Sequence, residues 1–583
     1  MSFLRHKNSM RSIRHATRMV AAFACGLVIV GSIGFGNAQE IAADRDVMAP
    51  MRDGVKLAAD LYIPPGEGPF PVVLIRTPYN KQSNESMARG LAKQGYVCVV
   101  QDCRGRFNSE GKWDPFTAEQ TDGKDTTEWV KSQRWCNGTI GTLGGSYFGY
   151  TQWALAPGNP DVAALAIFFS ISNLYDAFYR GGALYERTWL SWSLLNHSSR
   201  QTPGALLRIE DGHAHLPLVE KDNVVFRDVP FFNYWVTHPL PNEYWQGLSL
   251  TERISEISAP MLLVSGWYDL FTDEQLRDFM LVRQHGQPKV KADTKIIVGP
   301  WNHTMANPNQ KNYGIVVPAL YLTESLNQWF DYALKGEANG WQDRAPVRIF
   351  VLGENVWRDE QEWPLDRAVS TPYYLHSGGE ANTSAGDGAL STRMPAAEAA
   401  DMFSYDPQVP VPTVGGSNLG PQESGPADQQ EVEARQDVLV YSTEPLAEPV
   451  EITGPAMLTL YASSDAPDTD FTGKLVDVFP DGRALILCEG ILRARYRNGM
   501  DKAALLDPGE IYEFTISLGN TSVLFGAGHR IRLEVSSSNF PRYDRNPNTG
   551  TEIATETHTR VANQKIFHDA EHPSHLTLPV VPR

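Results

Sequence analysis

The sequence predicts a doubly wound α/β domain, split by an insert and followed by an all-β sandwich. Three observations carry this. Compact apolar runs recur through the first half of the chain with helical segments between them. An aromatic-rich stretch interrupts them. Beyond about Pro364 the pattern changes to strand-like alternation. The fold opens at Val47–Pro64, where Asp53-Gly54 is a turn signal between two short extended runs and predicts a hairpin. Val72–Ile75, Tyr96–Val100, Thr139–Leu143 and Leu165–Phe169 follow, each apolar nearly throughout, as strands are when a parallel sheet is covered on both faces. A helix is expected at Asp125–Gln133, after an Asp122-Gly123 turn. The insert, Asn173–Leu250, is rich in aromatics, among them Tyr175, Phe178, Tyr179, Tyr185, Trp189, Trp192, Phe231, Phe232, Tyr234, Trp235, Tyr244 and Trp245. They read as the core of a small helical subdomain, with a few free to face a substrate. Two more sheet strands are expected at Met261–Ser265 and Ile296–Val298. Leu326, Trp329, Phe330, Ala333 and Leu334 then recur at helical spacing up to Gly336. Ser377–Pro426 is rich in Gly, Ser, Ala, Pro and Asp and reads as loops. Val438–Tyr441, Met457–Tyr461, Lys474–Val478 and the alternation of Ile531, Leu533 and Val535 with Arg530, Arg532 and Glu534 read as sandwich strands.

Composition narrows the function classes. At roughly 100–200 residues per domain, 583 residues make about three or four domains. Hydrophobic residues are 42% and charged residues 20%, as in packed globular chains. Lys and Arg number 51 against 68 Asp and Glu, a net charge of −17, which repels phosphate backbones and argues against nucleic-acid partners. The N-terminus reads as a secretory signal. Arg5, Lys7, Arg11, Arg14 and Arg18 precede an apolar run from Met19 to Phe35, and Gly36-Asn37-Ala38 suits signal peptidase. Cleavage after Ala38 removes those five cations and no acid, taking the net charge from −17 to −22. No later stretch approaches the ~20 apolar residues of a membrane span, so a secreted or periplasmic protein is expected, with no membrane contact after cleavage. Cys25 lies inside the signal. Cys98, Cys103, Cys136 and Cys488 remain, with no Cys-x-x-Cys, and the sequence does not choose a pair among them.

The strand Thr139–Leu143 runs into Gly144-Gly145-Ser146-Tyr147-Phe148-Gly149 and then a helix-compatible stretch. A strand, a Gly-flanked Ser and a helix form a nucleophile elbow, in which the Ser takes a strained turn backed by helix N–H groups. The usual second glycine stands at the position of Phe148, and here it comes one later, at Gly149. Such a serine needs a base and the base an acid, and in α/β-hydrolases these follow in the order Ser, Asp or Glu, His. Met261–Ser265 ends in Gly266-Trp267-Tyr268-Asp269, and Ile296–Val298 ends in Gly299-Pro300-Trp301-Asn302-His303. Ser146, Asp269 and His303 are therefore the candidate triad, each beyond the C-terminal end of a strand, where ligands sit in such sheets. His213-x-His215 lacks ligand partners at metal spacing and reads as a loop pair. Asp465, Asp468 and Asp470 lack the spacing of a calcium loop and read as solvated turns. No metal or cofactor is expected.

These pieces together resemble the family of cocaine esterase, α-amino-acid ester hydrolases, glutaryl cephalosporin acylases and X-prolyl dipeptidyl-peptidases. The resemblance rests on Met51-Arg52-Asp53-Gly54-Val55, Arg76-Thr77-Pro78-Tyr79, Gln101-Asp102-Cys103-Arg104-Gly105, Gly144-x-Ser146-Tyr147-x-Gly149, Gly266-Trp267-Tyr268-Asp269, Gly299-Pro300-Trp301-x-His303, Gly528-His529-Arg530-Ile531-Arg532 and Ser538-Asn539-Phe540-Pro541. It implies an α/β-hydrolase core at 39–172 and 251–364, a helical cap at 173–250, and a C-terminal jelly-roll β-sandwich at 365–583. It further implies an oxyanion hole from the Tyr79 hydroxyl and the Tyr147 backbone N–H, and a pocket-lining role for Phe271. Amino-acid ester hydrolases follow the catalytic Asp with a Glu-Asp pair that holds the substrate ammonium. Here Phe271 and Thr272 stand in those places, and Asp273 and Glu274 come one step later, which argues against recognition of an α-amino group. The expected activity is hydrolysis of a small-molecule ester or amide, or of a short peptide as in the X-prolyl dipeptidyl-peptidases. A binding protein with a dead hydrolase domain is the reading from another class. The sequence does not select between a monomer and a homo-oligomer.

Overall fold

The computed structural model describes residues 41–308, 313, 320–420 and 424–583. The expected signal segment 1–38, with Cys25, lies outside the described residues. Among those described, no helix is long and apolar enough to cross a membrane.

Ten strands form one mixed sheet. The first six are β1 (Ala43–Pro50), β2 (Lys56–Tyr62), β3 (Phe70–Thr77), β4 (Val97–Asp102), β5 (Cys136–Gly145) and β6 (Val162–Phe168). The insert then contributes a minimal hairpin, β7 (Tyr179–Arg180) with β8 (Ala183–Leu184), and six short helices between Leu174 and Leu248. The sheet resumes with β9 (Met261–Tyr268), β10 (Lys295–Asn302), β11 (Val347–Val351) and β12 (Val356–Glu360). The strand order is β1-β2-β4-β3-β5-β6-β9-β10-β11-β12. Pairing is parallel from β4 through β11, and antiparallel at both margins. This is the α/β-hydrolase architecture. The unbroken apolar runs follow from it, because successive side chains enter opposite layers. Val73, Ile75, Cys98, Val100, Leu262 and Val264 face the helices Glu85–Lys93 and Leu320–Lys335. Leu165, Ile167, Met261 and Leu263 face Tyr147–Leu155 and Thr272–His285 on the other side.

The expected Asp122-Gly123 turn is instead the interior of a helix, Glu119–Lys131. Gly123 serves close packing there. A Cβ on it would stand 2.5 Å from the Cβ of Leu155 and 3.1 Å from Nη1 of Arg76. The helix must therefore lie flush against the one that follows Ser146.

The C-terminal domain is all-β, an eleven-stranded sheet system from Val369–His376 to His575–Val581. Its core and that of the α/β domain are continuous, and Leu352 exchanges backbone hydrogen bonds with Ser522 and Leu524 across the junction. Two strands, Ala389–Ser391 and Asp401–Tyr405, fall inside the stretch expected to be loops. In the second, Asp401, Phe403 and Tyr405 are buried while Met402 and Ser404 are not. The buried face starts with a carboxylate, which hid the alternation. Asp468 and Asp470 likewise do not stand in solvated turns. Both are buried, Asp468 against Arg495 at 2.8 Å and Asp470 against Arg493 at 3.0 Å, with Asn546 donating to each. Asp465 does lie at the surface, accepting from Asn563. The four described cysteines are free and buried.

Asp401 anchors a buried polar chain. His568 places Nε2 2.9 Å from Asp401 and Nδ1 3.2 Å from Glu398, which also takes Nδ1 of His376 at 2.8 Å. Only an imidazolium can donate from both nitrogens of His568. Burial opposes that charge, but the hydrogen bonds and fields of Asp401 and Glu398 prevail and raise the His568 pKa above its ordinary 6.5. A raised histidine stabilises the fold fully below the unfolded value and less as pH climbs through the folded one. His568→Gln is therefore expected to cost about 1–3 kcal/mol near pH 6, seen as a Tm lower by a few degrees. That gap should narrow at about pH 9. Equal gaps at both pH values in calorimetry would show that His568 is neutral.

Candidate active site

Ser146 stands where β5 hands over to the helix Tyr147–Leu155, at φ 55° and ψ −128°. Its N–H donates to the carbonyls of Phe168 (3.0 Å) and Phe169 (3.2 Å), and its own carbonyl accepts from Gly149 (2.9 Å) and Tyr150 (3.0 Å). A left-handed φ on a residue with a Cβ costs of order 1–3 kcal/mol and survives only when the surroundings over-determine it. Two glycines make those surroundings fit. A Cβ on Gly144 would lie 2.4 Å from the Phe148 carbonyl oxygen, and one on Gly149 2.4 Å from the Cβ of Ser170. Displacement of the second glycine to 149 is thus set by contact with Ser170. Tyr147 is the first helical residue, so its N–H has no intrahelical acceptor.

Asp269 and His303 are brought together by register. β9 and β10 are parallel neighbours with Tyr268 opposite Asn302, and the next residue of each chain is the candidate. His303 Nδ1 lies 2.5 Å from Oδ2 of Asp269, while Oδ1 accepts the Phe271 N–H at 2.9 Å. Asp269 is 2% exposed. The imidazole sits between the rings of Phe169 and Phe271, with centroids at 5.9 and 5.4 Å.

Tyr79 follows β3 and its hydroxyl takes a hydrogen bond from Trp192 Nε1 at 2.9 Å. Burial pushes its pKa up to about 12 against opposing hydrogen bonds from Trp192 and Ser146, so the phenol stays protonated at neutral pH. The Tyr147 ring is also held. Its hydroxyl accepts from the Phe116 N–H at 2.7 Å and donates to Glu119 at 2.9 Å, and Glu119 pairs with Arg76 at 2.9 Å. Glu119 was not singled out in the sequence, where nothing marks it from any other helical acid.

Ser146, Tyr79, Tyr147 and Phe271 line one pocket with about 430 Å³ of empty space. Its remaining walls are mostly apolar, among them Phe116, Ile171, Leu174, Trp189 and Trp192, closed by Leu419 from the C-terminal domain. Two of the insert aromatics, Trp189 and Trp192, thus face the pocket. Most of the others form the cap's own core, as in the edge-to-face pair Phe178 and Trp235 at 4.6 Å. Asp273 and Glu274 do not line it. Asp273 pairs with Arg180 at 2.7 Å and accepts from the N–H and side chain of Asn520. His213 is not a loop residue. It is buried in the helix Ile209–Ala214 with Nδ1 3.0 Å from Glu186, which also takes Lys221. His215 stands apart, 3.3 Å from Glu220.

A family model described as X-Pro dipeptidyl-peptidase (S15 family) matches residues 53–305. One described as X-Pro dipeptidyl-peptidase C-terminal non-catalytic domain matches residues 339–577. Cocaine esterase of Rhodococcus sp. (strain MB1 Bresler) is 42% identical over 571 residues, covering 92% of this chain and 98% of that protein. Among solved structures, an α-amino acid ester hydrolase matches with a TM-score of 0.79 and 26% identity over 94% of this chain and 99% of its own. An aminopeptidase from the marine sediment archaeon Thaumarchaeota archaeon matches with a TM-score of 0.78 and 25% identity over 95% of this chain and 99% of its own. The chain therefore belongs to the S15 family of X-Pro dipeptidyl-peptidases and cocaine esterase, and is a hydrolase of that family.

Proposed function

We propose that the protein is an exported serine hydrolase that cleaves acyl esters or amides through an acyl-enzyme intermediate. The observation that carries this reading is the bond from His303 Nδ1 to buried Asp269, with the imidazole against Phe271, a wall of the pocket that also holds Ser146 on its strained turn. With Nδ1–H committed to Asp269, Nε2 is the free base. It takes the Ser146 proton as Oγ attacks the substrate carbonyl, and returns it to the departing alcohol or amine. Water then repeats the sequence on the acyl-enzyme and releases the acid. The Tyr79 hydroxyl and the Tyr147 N–H serve as donors to the developing oxyanion. A fluorophosphonate tests this directly. Labelling mapped to Ser146 is expected, and an unlabelled chain would support the binding-protein reading instead.

Export is supported by the basic segment from Arg5 to Arg18, the apolar run after it and the small residues at Gly36 and Ala38. Protein recovered from outside the cytoplasm should begin at Gln39, and a retained N-terminus would refute cleavage.

The pocket favours an apolar or aromatic acyl group. No carboxylate is among its described lining residues, so an ammonium entering it would lose water without gaining a counter-charge. Phenylacetyl esters are expected to exceed phenylglycyl esters of the same alcohol in kcat/KM by about tenfold or more at about pH 6, where the α-amino group is charged. A preference for the phenylglycyl ester would reverse the assignment. The same lack of a carboxylate disfavours Ala-Pro and Gly-Pro anilides, whose free N-terminus needs one.

A further inference from the structure

The indole of Trp192 does more than wall the pocket. Its Nε1–H can only donate, and it meets the Tyr79 hydroxyl at 2.9 Å. A phenol has one proton to give. With a lone pair occupied by Trp192, that proton cannot point toward the indole, and the pocket that Tyr79 lines is the one that holds Ser146. We infer that Trp192 is a positioning residue for the oxyanion hole: it holds the Tyr79 O–H aimed at the space beside Ser146, so that the cap sets the geometry of a donor in the core. A hydrogen bond accepted by the phenol oxygen also polarises its O–H and makes it a better donor.

The indole is itself fixed. Trp192 belongs to the helix Glu186–Leu195 and is 4% exposed. Its ring lies nearly parallel to Tyr147, at 7° and 6.0 Å, and to Phe116, at 20° and 5.8 Å. Tyr147 is the residue whose backbone N–H is the second proposed donor. One side chain of the insert therefore braces both halves of the hole, by a hydrogen bond on one side and ring contact on the other. The inference rests on the reading of Tyr79 as an oxyanion donor.

A double-mutant cycle separates this from plain packing. Trp192→Phe keeps an aromatic ring and removes the N–H. Replacing Trp192 with benzothienylalanine removes the N–H with almost no change of shape, which covers the case in which the Phe variant does not fold. Either is expected to lower kcat about tenfold while leaving KM within about twofold, since the aimed proton matters in the transition state and little in the ground state. In a Tyr79→Phe background the same replacement should change kcat by less than about twofold, because no proton remains to aim. Equal losses in both backgrounds, or a rise in KM with kcat intact, would overturn the inference and leave Trp192 as a wall of the acyl pocket. If Tyr79→Phe alone kept full kcat, the oxyanion role would fail first, and the positioning role with it.

Discussion

Ser146→Ala should lower turnover by at least about 10⁴-fold while the fold survives. Survival is argued from the backbone. The bonds that pin residue 146, its N–H to Phe168 and Phe169 and its carbonyl to Gly149 and Tyr150, are all main-chain. Alanine keeps every one, and it accepts φ 55° no worse than serine does. Ser146→Gly sharpens the test. It is equally inactive, but it releases the left-handed strain and should melt at or above the wild-type temperature. Thus one position yields two dead enzymes, the alanine variant as stable as the wild type and the glycine variant at least as stable. Residual activity above about one per cent in the alanine variant, after titration for contaminating hydrolase, would remove Ser146 as nucleophile.

Much of this arrangement is legible before any coordinates, for a physical reason. A parallel sheet buried on both faces writes its strands as apolar blocks, and the residues that end those blocks must stand at one edge of the sheet. Ser146, Asp269 and His303 can be placed at that edge by reading where three blocks stop. Other features are silent because their signal is not local. Gly123 reads as a turn residue, yet it lies mid-helix because Leu155, 32 positions later, leaves no room for a Cβ. Asp468 and Asp470 look like surface acids, since Arg493, which pairs with Asp470, arrives at the end of another strand and Arg495, which pairs with Asp468, in the turn after it. Phe116 offers no hint of its φ of 71°, nor of the N–H it gives to Tyr147. Sequence periodicity reports which face a residue takes. It does not report which distant residue meets it there, and the contacts between Glu119 and Tyr147 and between Trp192 and Tyr79 are of that kind.

Tyr79→Phe is expected to lower kcat by about 10²–10³ with KM changed less than about threefold. The oxygen charge grows as Oγ of Ser146 adds to the carbonyl, so a phenolic donor aimed there gains most of its interaction in the transition state. The loss should be uniform from about pH 6 to about pH 9. Tyr79 is pushed up to about 12 by burial, so it stays protonated throughout that range and adds no limb of its own to the profile. A structural cost accompanies the kinetic one. Without the phenol oxygen, the buried Trp192 N–H loses its acceptor, worth about 1–3 kcal/mol of stability. The two effects must therefore be told apart, and fluorophosphonate labelling does so. The phosphoryl oxygen needs the same donors as a carbonyl, so the labelling rate of Ser146 should fall along with kcat at temperatures where the variant is fully folded. A variant that labels at the wild-type rate and hydrolyses slowly only near its melting transition would make Tyr79 a support for Trp192 and remove it from the oxyanion hole.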